Sequence, residues 1–459
     1  YFQNQSNEIL FLEKDSFKSL FTNNTISNAN QDDISKVKIN NKLRSVIKAS
    51  LAKINLFASD ENKRLNAAKN ILENLEEQDK EIILEALKSE KKSSIKDILV
   101  EANANITAKF SSGEEQLKAI SELGGFLSAK SLETLTGLKE SNDEKIKEAV
   151  KNALNEIEFS KSIYSFIETA FFGLSQGSVL LLAAIGLAIT FGVMKVINMA
   201  HGELIMIGAY TTYTIQQLMP NLIEYSVIIA IPAAFIISGL VGIAIERLVI
   251  RHLYGRPLET LLATFGISLI LQQVVRIIFS PLNQEVKTPS WMSGALEING
   301  ALSLTYNRLY VVIFAFIVFF AILYVMKKTS LGLKVRAVSQ NRPIARAMGI
   351  QSSKIDAITF GIGSGIAGVA GVALSQLTNV GPNLGQAYIV DSFMVVVFGG
   401  VGNLWGTLIA SFTLGEINKF IEPLAGAILA KVIILVFIIL FIQKRPRGLF
   451  PQKGRDAQD

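Results

Sequence analysis

Apolar residues in the second two-thirds of this chain gather into eight runs, at about 163–193, 204–218, 225–250, 260–280, 309–326, 357–377, 388–416 and 427–442. Several approach the ~20 residues with which a helix crosses ~30 Å of hydrocarbon. The pattern therefore predicts a polytopic α-helical membrane domain of about eight spans, placed at 159–451. Ahead of it the periodicity changes. Leu65, Ala68, Ile71 and Leu72 form one helical stripe, Leu117, Ile120 and Leu123 a second, and Ile146, Ala149, Val150, Ala153 and Leu154 a third. Stripes of this spacing predict short amphipathic helices. Ser112 with Glu115, and Ser141 with Glu144, are spaced for capping boxes. Similar registers recur at Leu65, Ile95, Leu117 and Ile146, which are 30, 22 and 29 residues apart. That is an irregular helical repeat of the HEAT kind, or else a plain helical bundle. The fold expected is thus all-α, with a soluble HEAT-like helical-repeat domain at 42–158 before the membrane domain. Residues 1–41 are polar and asparagine-rich and read as a flexible segment, and 452–459 as a tail. Tyr1-Phe2-Gln3 reads as a protease-site tag remnant or as the start of a chain after signal cleavage.

Composition agrees with a membrane protein, since half of the 459 residues are hydrophobic. Charge separates the two parts. From Lys161 onward 22 Lys+Arg face 13 Asp+Glu, whereas residues 1–160 hold 23 against 26. Without cysteine the chain has no disulfide, thiolate nucleophile or zinc–thiolate site, and its two histidines, His201 and His252, make a multi-His metal centre improbable.

Positive residues fix orientation. Arg247, Arg251 and Arg256 form one cluster, the 327–354 connector a second, and Lys444, Arg445, Arg447, Lys453 and Arg455 a third, all three expected on the cytoplasmic side. Span parity then puts the 281–307 loop outside, where it is long enough to meet an extracytoplasmic partner, and residues 1–160 outside as well.

Glycine and asparagine interrupt the apolar runs twice. One interruption holds Asn198, His201, Gly202 and Glu203, the other Gly399, Gly400, Gly402 and Asn403. Irregular backbone at membrane depth is tolerated only where it is buried in protein or lines a polar cavity, so broken or re-entrant spans are expected at both places and these eight residues are the candidate permeation path. For the three glycines of the second group the alternative is close helix packing through small residues. Glu203, Asp391 and Glu416 are ionisable positions inside runs, with Asp391 readable as a helix cap.

The connector at 329–350 reads TSLGLKVRAVSQNRPIARAMGI. Arg342 to Ile350 predicts a short helix with Pro343 in its first turn and an apolar face, able to dock on a soluble partner whose carboxylates meet the arginines. Its alternative is a solvated loop that only sets topology. No G-x-x-x-x-G-K-[ST] phosphate loop occurs in the chain, so ATP hydrolysis, if it drives the process, belongs to another subunit.

At these residues a family resemblance enters. GLAITFGVMKVINMAHGELIMIGAY at 186–210 resembles the first-span signature of permease subunits of branched-chain amino acid and urea ABC importers. So do the 328–350 connector, GIGSGIAGVAG at 361–371, VVVFGGVGNLWGTLIASF at 395–412 and RPRGLF at 445–450, together covering nearly all of 165–451. The resemblance implies a non-catalytic subunit of the bacterial cytoplasmic membrane without its own cofactor. It pairs with a homologous permease, takes substrate from a periplasmic binding protein and is driven by two cytoplasmic ATPase subunits that bind the ATP. It also makes Asn341, Arg342, Pro343, Ala345, Arg346, Met348 and Gly349 the coupling helix. Urea-type permeases are similar to this chain in carrying a soluble helical extension before the first span, which points to urea or a short-chain amide; branched-chain amino acids are the alternative. Of other classes, a passive channel would need no docking helix, an ion-coupled carrier would hold several buried charges along a relay, and a sensor or scaffold would use the membrane part as an anchor.

Overall fold

The computed structural model describes residues 50–451, together with the backbone of four short strands, β1 (Phe2–Gln3), β2 (Ile9–Glu13), β3 (Ser16–Ser19) and β4 (Ser35–Lys36), in one antiparallel sheet of order β3-β2-β1-β4. The remainder of the segment expected to be flexible, and the 452–459 tail, lie outside the described residues. The chain forms two units, divided between Lys161 and Ser162.

The first unit is helical. It comprises α1 (50–55), α2 (Glu61–Glu73), α3 (Lys80–Ser89), α4 (Ser93–Phe110), α5 (Glu114–Leu123), α6 (Ala129–Leu138) and the first part of α7 (Glu144–Met194). The stripes legible in the sequence are its packing faces. Ala68 and Ile71 join Ile83, Leu99 and Ile106 in one core, and Ile120, Leu123, Val150 and Ala153 form a second with Leu135. Helix α4 touches α2, α3, α5 and α6, so it belongs to both cores. Glu101 and Asn105 on its buried side bond Ser131 of α6 at 2.8 and 3.1 Å. Arg64 on α2 hydrogen-bonds Glu90 at 2.8 Å, and that bond holds the Glu90 carboxyl down at about 2. The two capping boxes do not form. Gly113, at φ 71°, is the N-cap of α5, and Asp143 rather than Ser141 caps the start of α7, accepting from the Lys145 amide at 2.9 Å.

The second unit holds the rest of α7, then α8 (His201–Leu218), α9 (Ile223–Leu248), α10 (Pro257–Phe279), α11 (Tyr306–Lys328), α12 (Ser330–Gln340), α13 (Arg342–Ala347), α14 (Ser352–Ser375), α15 (Leu384–Gly399), α16 (Leu404–Ala425) and α17 (Ala427–Lys444). Among the described residues six helices are long and apolar enough to span a membrane, against the eight spans expected. The difference lies in two of the eight runs. The 388–416 run is cut into α15 and α16 by Gly400 and Gly402, whose φ angles are 103° and 77°, and α8 follows a non-helical stretch at 195–200.

Burial separates core helices from lipid-facing ones. In α14, 89% of the apolar stretch is buried, and in α7 83%, against 22% for α10 and 17% for α17. Glycine makes that core. A Cβ at Gly208 of α8 would overlap the backbone of Gly368 in α14, and one at Gly186 of α7 would overlap the Gly363 carbonyl. Small residues allow such approach where lipid supplies no hydrophobic drive between helices.

Two features fix the ends. Between α10 and α11 a hairpin of β5 (Ala295–Asn299) and β6 (Leu302–Thr305) interrupts the all-helical pattern, and its loop is tied down by paired hydrogen bonds of Gln216 with Lys287, at 2.8 and 2.9 Å. At the other end the positive clusters meet. Arg251 shares a groove with Arg342 and Arg346, and Lys327 and Arg336 share a cavity with Arg447.

Gly208→Ala should destabilise the folded protein by about 1–3 kcal/mol, because the added methyl meets backbone that cannot rotate away. Gly266→Ala on α10, where a Cβ meets nothing within 4 Å, should be neutral or stabilise by up to about 1 kcal/mol. Thermal unfolding of the solubilised protein measures both, and equal effects would contradict the packing described.

Candidate functional site

The first interruption is a short stretch of non-helical backbone held by side chains. Helix α7 ends at Met194, Lys195 takes φ 54°, and Asn198 Oδ1 accepts from the Ala200 amide at 3.0 Å. Thr264 of α10 accepts from the Met199 amide at 3.1 Å. Helix α8 then starts at His201, whose Nε2 donates to the Ala183 carbonyl at 3.0 Å. Two residues on, Glu203 Oε1 accepts from Ser268 Oγ at 2.9 Å and Gln272 Nε2 at 2.7 Å. All three candidates, Asn198, His201 and Glu203, are buried, and Asn198 Nδ2, His201 Nδ1 and Glu203 Oε2 have no hydrogen-bond partner among the described residues. Gly202 is packed on the Gly385 carbonyl at the start of α15.

The partners on α10 were not among the sequence candidates. Thr260, Thr264, Ser268 and Gln272 recur every fourth residue and are buried, while most of the helix around them is exposed. That spacing was a readable signal, since polar side chains in a span face protein rather than lipid.

The second interruption is a turn at the basic end. Asn403 caps α16, accepting from the Trp405 and Gly406 amides at 3.1 and 3.2 Å, and donates to the Phe450 carbonyl at 3.3 Å. Leu449 and Phe450 amides donate to Phe398 and Gly399 carbonyls at 2.9 and 3.2 Å, which stitches the 445–450 motif onto this turn. Gly399 is packed on the backbone of Gly406, and Gly400 on that of Phe450. The two interruptions are therefore not brought together: Gly402 lies against Gly192 and His201 against Ala183, nine residues apart on α7. At 1.5 Å per residue that is about 14 Å.

Of the ionisable positions, Asp391 is not a cap. It lies inside α15 and pairs with Lys431 of α17 at 2.9 Å. Glu416 of α16 is half-buried against Gly173.

The connector folds as two helices. Asn341 caps α13 by accepting from the Ile344 amide at 3.0 Å, and Pro343 lies in the first turn as expected. Arg342 forms a forked pair with Asp356 of α14 at 2.7 and 3.1 Å and stacks 4.8 Å from the Tyr254 ring. Tyr254 donates to Glu246 of α9 at 2.9 Å, and burial, followed by the Asp356 and Glu246 carboxylates, raises its phenol so that it remains an O–H donor. Arg346 donates to Ser352 at 2.7 Å. Of the two arginines expected to meet a partner's carboxylates, Arg342 is paired with Asp356 inside the chain, while Arg346 is exposed. Ala345 is buried, and Gly349, at φ 82°, ends the turn. Around α13, Ile344 is 58% and Met348 78% exposed with Ala347 beside them, and Arg346 is exposed as well.

Comparison with known proteins bears on this arrangement. The sequence profile described as branched-chain amino acid transport system / permease component matches residues 169–442. The high-affinity branched-chain amino acid transport system permease protein BraD of Pseudomonas aeruginosa is 28% identical over 296 residues, 62% of this chain and 96% of that protein. Its counterpart LivH of Escherichia coli K12 is 30% identical over 301 residues, 63% of this chain and 97% of that protein. The ribose import permease protein RbsC of Escherichia coli K12 is 26% identical over 276 residues, 58% of this chain and 82% of that protein. No solved structure matches the chain.

Gln272→Leu removes one of the two donors to a buried carboxylate and should cost about 1–3 kcal/mol. Ser268→Ala should cost about half as much, with the loss read from thermal unfolding; a neutral Gln272→Leu would show that the Glu203 contact does not hold α10 to α8.

Proposed function

The chain belongs to the branched-chain amino acid transport permease family and is the permease component of an ABC-type importer, and from this premise we propose that it forms the path for urea or a short-chain amide. Separate cytoplasmic ATPase subunits drive it, a homologous permease completes the path, and a periplasmic binding protein delivers the substrate. The basic end faces the cytoplasm across a bacterial inner membrane. In this reading the 42–158 helical-repeat domain lies on the outer side.

The ATP-driven reading rests on one observation, the exposed apolar face of Ile344, Ala347 and Met348 on a helix that the chain itself clamps through Arg342 and Asp356. The apolar face suits an ATPase cleft, while the clamp carries displacement of α13 into α14. For the substrate, support comes from the buried set Asn198, His201, Glu203, Ser268 and Gln272. It offers the Glu203 carboxylate and the His201 Nδ1 lone pair to amide N–H groups, and the Asn198 side-chain N–H to a carbonyl oxygen, as a neutral planar amide requires. Gly399, Gly400, Gly402 and Asn403 form the cytoplasmic end of the path in this reading. The second reading, a branched-chain amino acid, is favoured by the descriptions of the relatives. It would call for a cation for the substrate carboxylate, and Arg276, one turn beyond Gln272, donates to Asn383 at 2.8 Å.

Arg342→Glu places a carboxylate against Asp356 and should abolish uptake while the protein stays in the membrane. Met348→Asp leaves the clamp intact and should weaken copurification of the ATPase about tenfold or more, by the ~1.5–3 kcal/mol that burying such a side chain contributes. Uptake that survives both changes would support a passive channel. ATPase activity of the reconstituted complex with its binding protein should rise with urea; a rise with leucine alone would overturn the substrate assignment.

A further inference from the structure

Helices α8 and α10 run side by side from the 198–203 group towards the end opposite the basic one. Thr264 meets Met199, Gln272 meets Glu203, and the Phe279 ring lies 4.8 Å from that of Tyr210. Polar groups mark this seam beyond the carboxylate. Tyr210 is two turns past Glu203 on the same face of α8, about 10 Å outward. Its buried hydroxyl, like Glu203 Oε2, has no hydrogen-bond partner among the described residues. On α10 the four-residue period of Thr260, Thr264, Ser268 and Gln272 continues to Arg276. Buried polar atoms are ordinarily paired, so two open ones in one seam point to polar groups that enter it.

Two contacts with the segment leading into α15 shut the seam at its outer end. Arg276 donates to Asn383 Oδ1 at 2.8 Å, and further out the backbones of Gln284 and Val380 exchange hydrogen bonds at 2.7 and 2.9 Å. Each partner of the inner contact has a second place to go. Asn383 is the N-cap of α15, yet its side chain accepts from none of that helix's amides, the usual use of asparagine at this position. Arg276 is one turn past Gln272, and long helical side chains lean back towards the N-terminus, here towards the open oxygen of Glu203. Exchanging partners therefore leaves neither side chain unsatisfied.

We propose that Arg276 and Asn383 gate the outer entrance to the substrate path, which opens as the outer end of α10 parts from the start of α15. This rests on reading the 198–203 group as part of that path. Gly202, packed on the Gly385 carbonyl, keeps the start of α15 on α8, so α10 is the element that moves. Opening breaks the Arg276 contact and the Gln284–Val380 bridge together, so each contributes its own factor to how rarely the entrance opens.

The chain has no cysteine, so Ser268→Cys places a single thiol beneath the gate. In right-side-out vesicles holding the full permease–ATPase complex, its modification by a membrane-impermeant trimethylammonium methanethiosulfonate, read on this chain by mass spectrometry, reports opening. Arg276→Met and Asn383→Ala should each speed it about tenfold, the factor for ~1.4 kcal/mol, the low end for a hydrogen bond made by a charged group. Asn383→Ala keeps the Arg276 charge, so a rise with Arg276→Met alone would show a field effect on the cationic reagent and overturn the gate. Val275→Ala loosens packing on the same turn without touching the bond and should leave the rate unchanged; a rise equal to that of Asn383→Ala, or no rise with either gate variant, would overturn it as well. Arg276→Cys with Asn383→Cys, joined by a short bifunctional methanethiosulfonate, gives a second measurement. Uptake of urea or leucine, whichever the unmodified complex transports, should stop and return on reduction, and uptake through the cross-linked complex would sink the proposal. Labelling of Ser268→Cys needs no transported substrate, so a wrong substrate assignment leaves the gate standing.

Discussion

Backbone-to-backbone contact between glycines is the constraint on which the membrane unit depends. Helix α14 presents Gly363 to Gly186 of α7, Gly368 to Ser238 of α9 and Gly371 to the Ile205 carbonyl of α8, so three helices approach one at distances that leave no room for a Cβ. In lipid, association comes from packing and interhelical hydrogen bonds rather than from expulsion of water. The close approach determines more than stability. It brings the first turn of α8 onto α7, where His201 reaches the Ala183 carbonyl, and with Gly202 on Gly385 it brings the start of α15 to the same place. The buried polar group at 198–203 exists because glycine lets the surrounding backbones close over it.

Sequence alone carried much of this, and unevenly. The amphipathic stripes at Ala68, Ile71, Ile120 and Val150 became core positions, since a helical stripe needs only local spacing to be read. Glycine and asparagine also marked where the backbone leaves the helix, at 195–200 and 400–403, although His201, Gly202 and Glu203 fall in the first turn of α8 and Gly399 ends α15. The separation of the two interruptions was not legible. Gly399 to Asn403 is a turn at the basic end because Leu449 and Phe450 fold back onto it, a contact about 50 residues away in sequence that no local pattern encodes. Asp391 is misread for a similar reason, its partner Lys431 being on α17. The α10 stripe was hidden differently: three hydroxyls and one amide spread along an apolar helix alter its composition little, and only their four-residue period exposes them.

The clamp on α13 follows from how short that helix is. Six residues make an isolated helix unstable in water, because nucleation is not offset by so few propagating bonds. The chain compensates with Asn341 as cap, Pro343 preset in the first turn, and Arg342 forked onto a carboxylate that α14 keeps buried. A bidentate arginine pair fixes direction as well as distance, and the Tyr254 ring on its other side leaves the guanidinium little freedom. A partner pushing on Ile344 and Met348 therefore pushes on α14.

That path is mechanically continuous, since α14 cannot shift without its glycine contacts moving α8, and α8 carries Glu203 and its two donors on α10. Interfaces packed this closely tend to have discrete arrangements instead of deforming gradually. A displacement of α13 should then reach the polar group as a change of register between α8 and α10, exchanging the Ser268 and Gln272 bonds for others. Such a link between the two ends is independent of what the polar group binds.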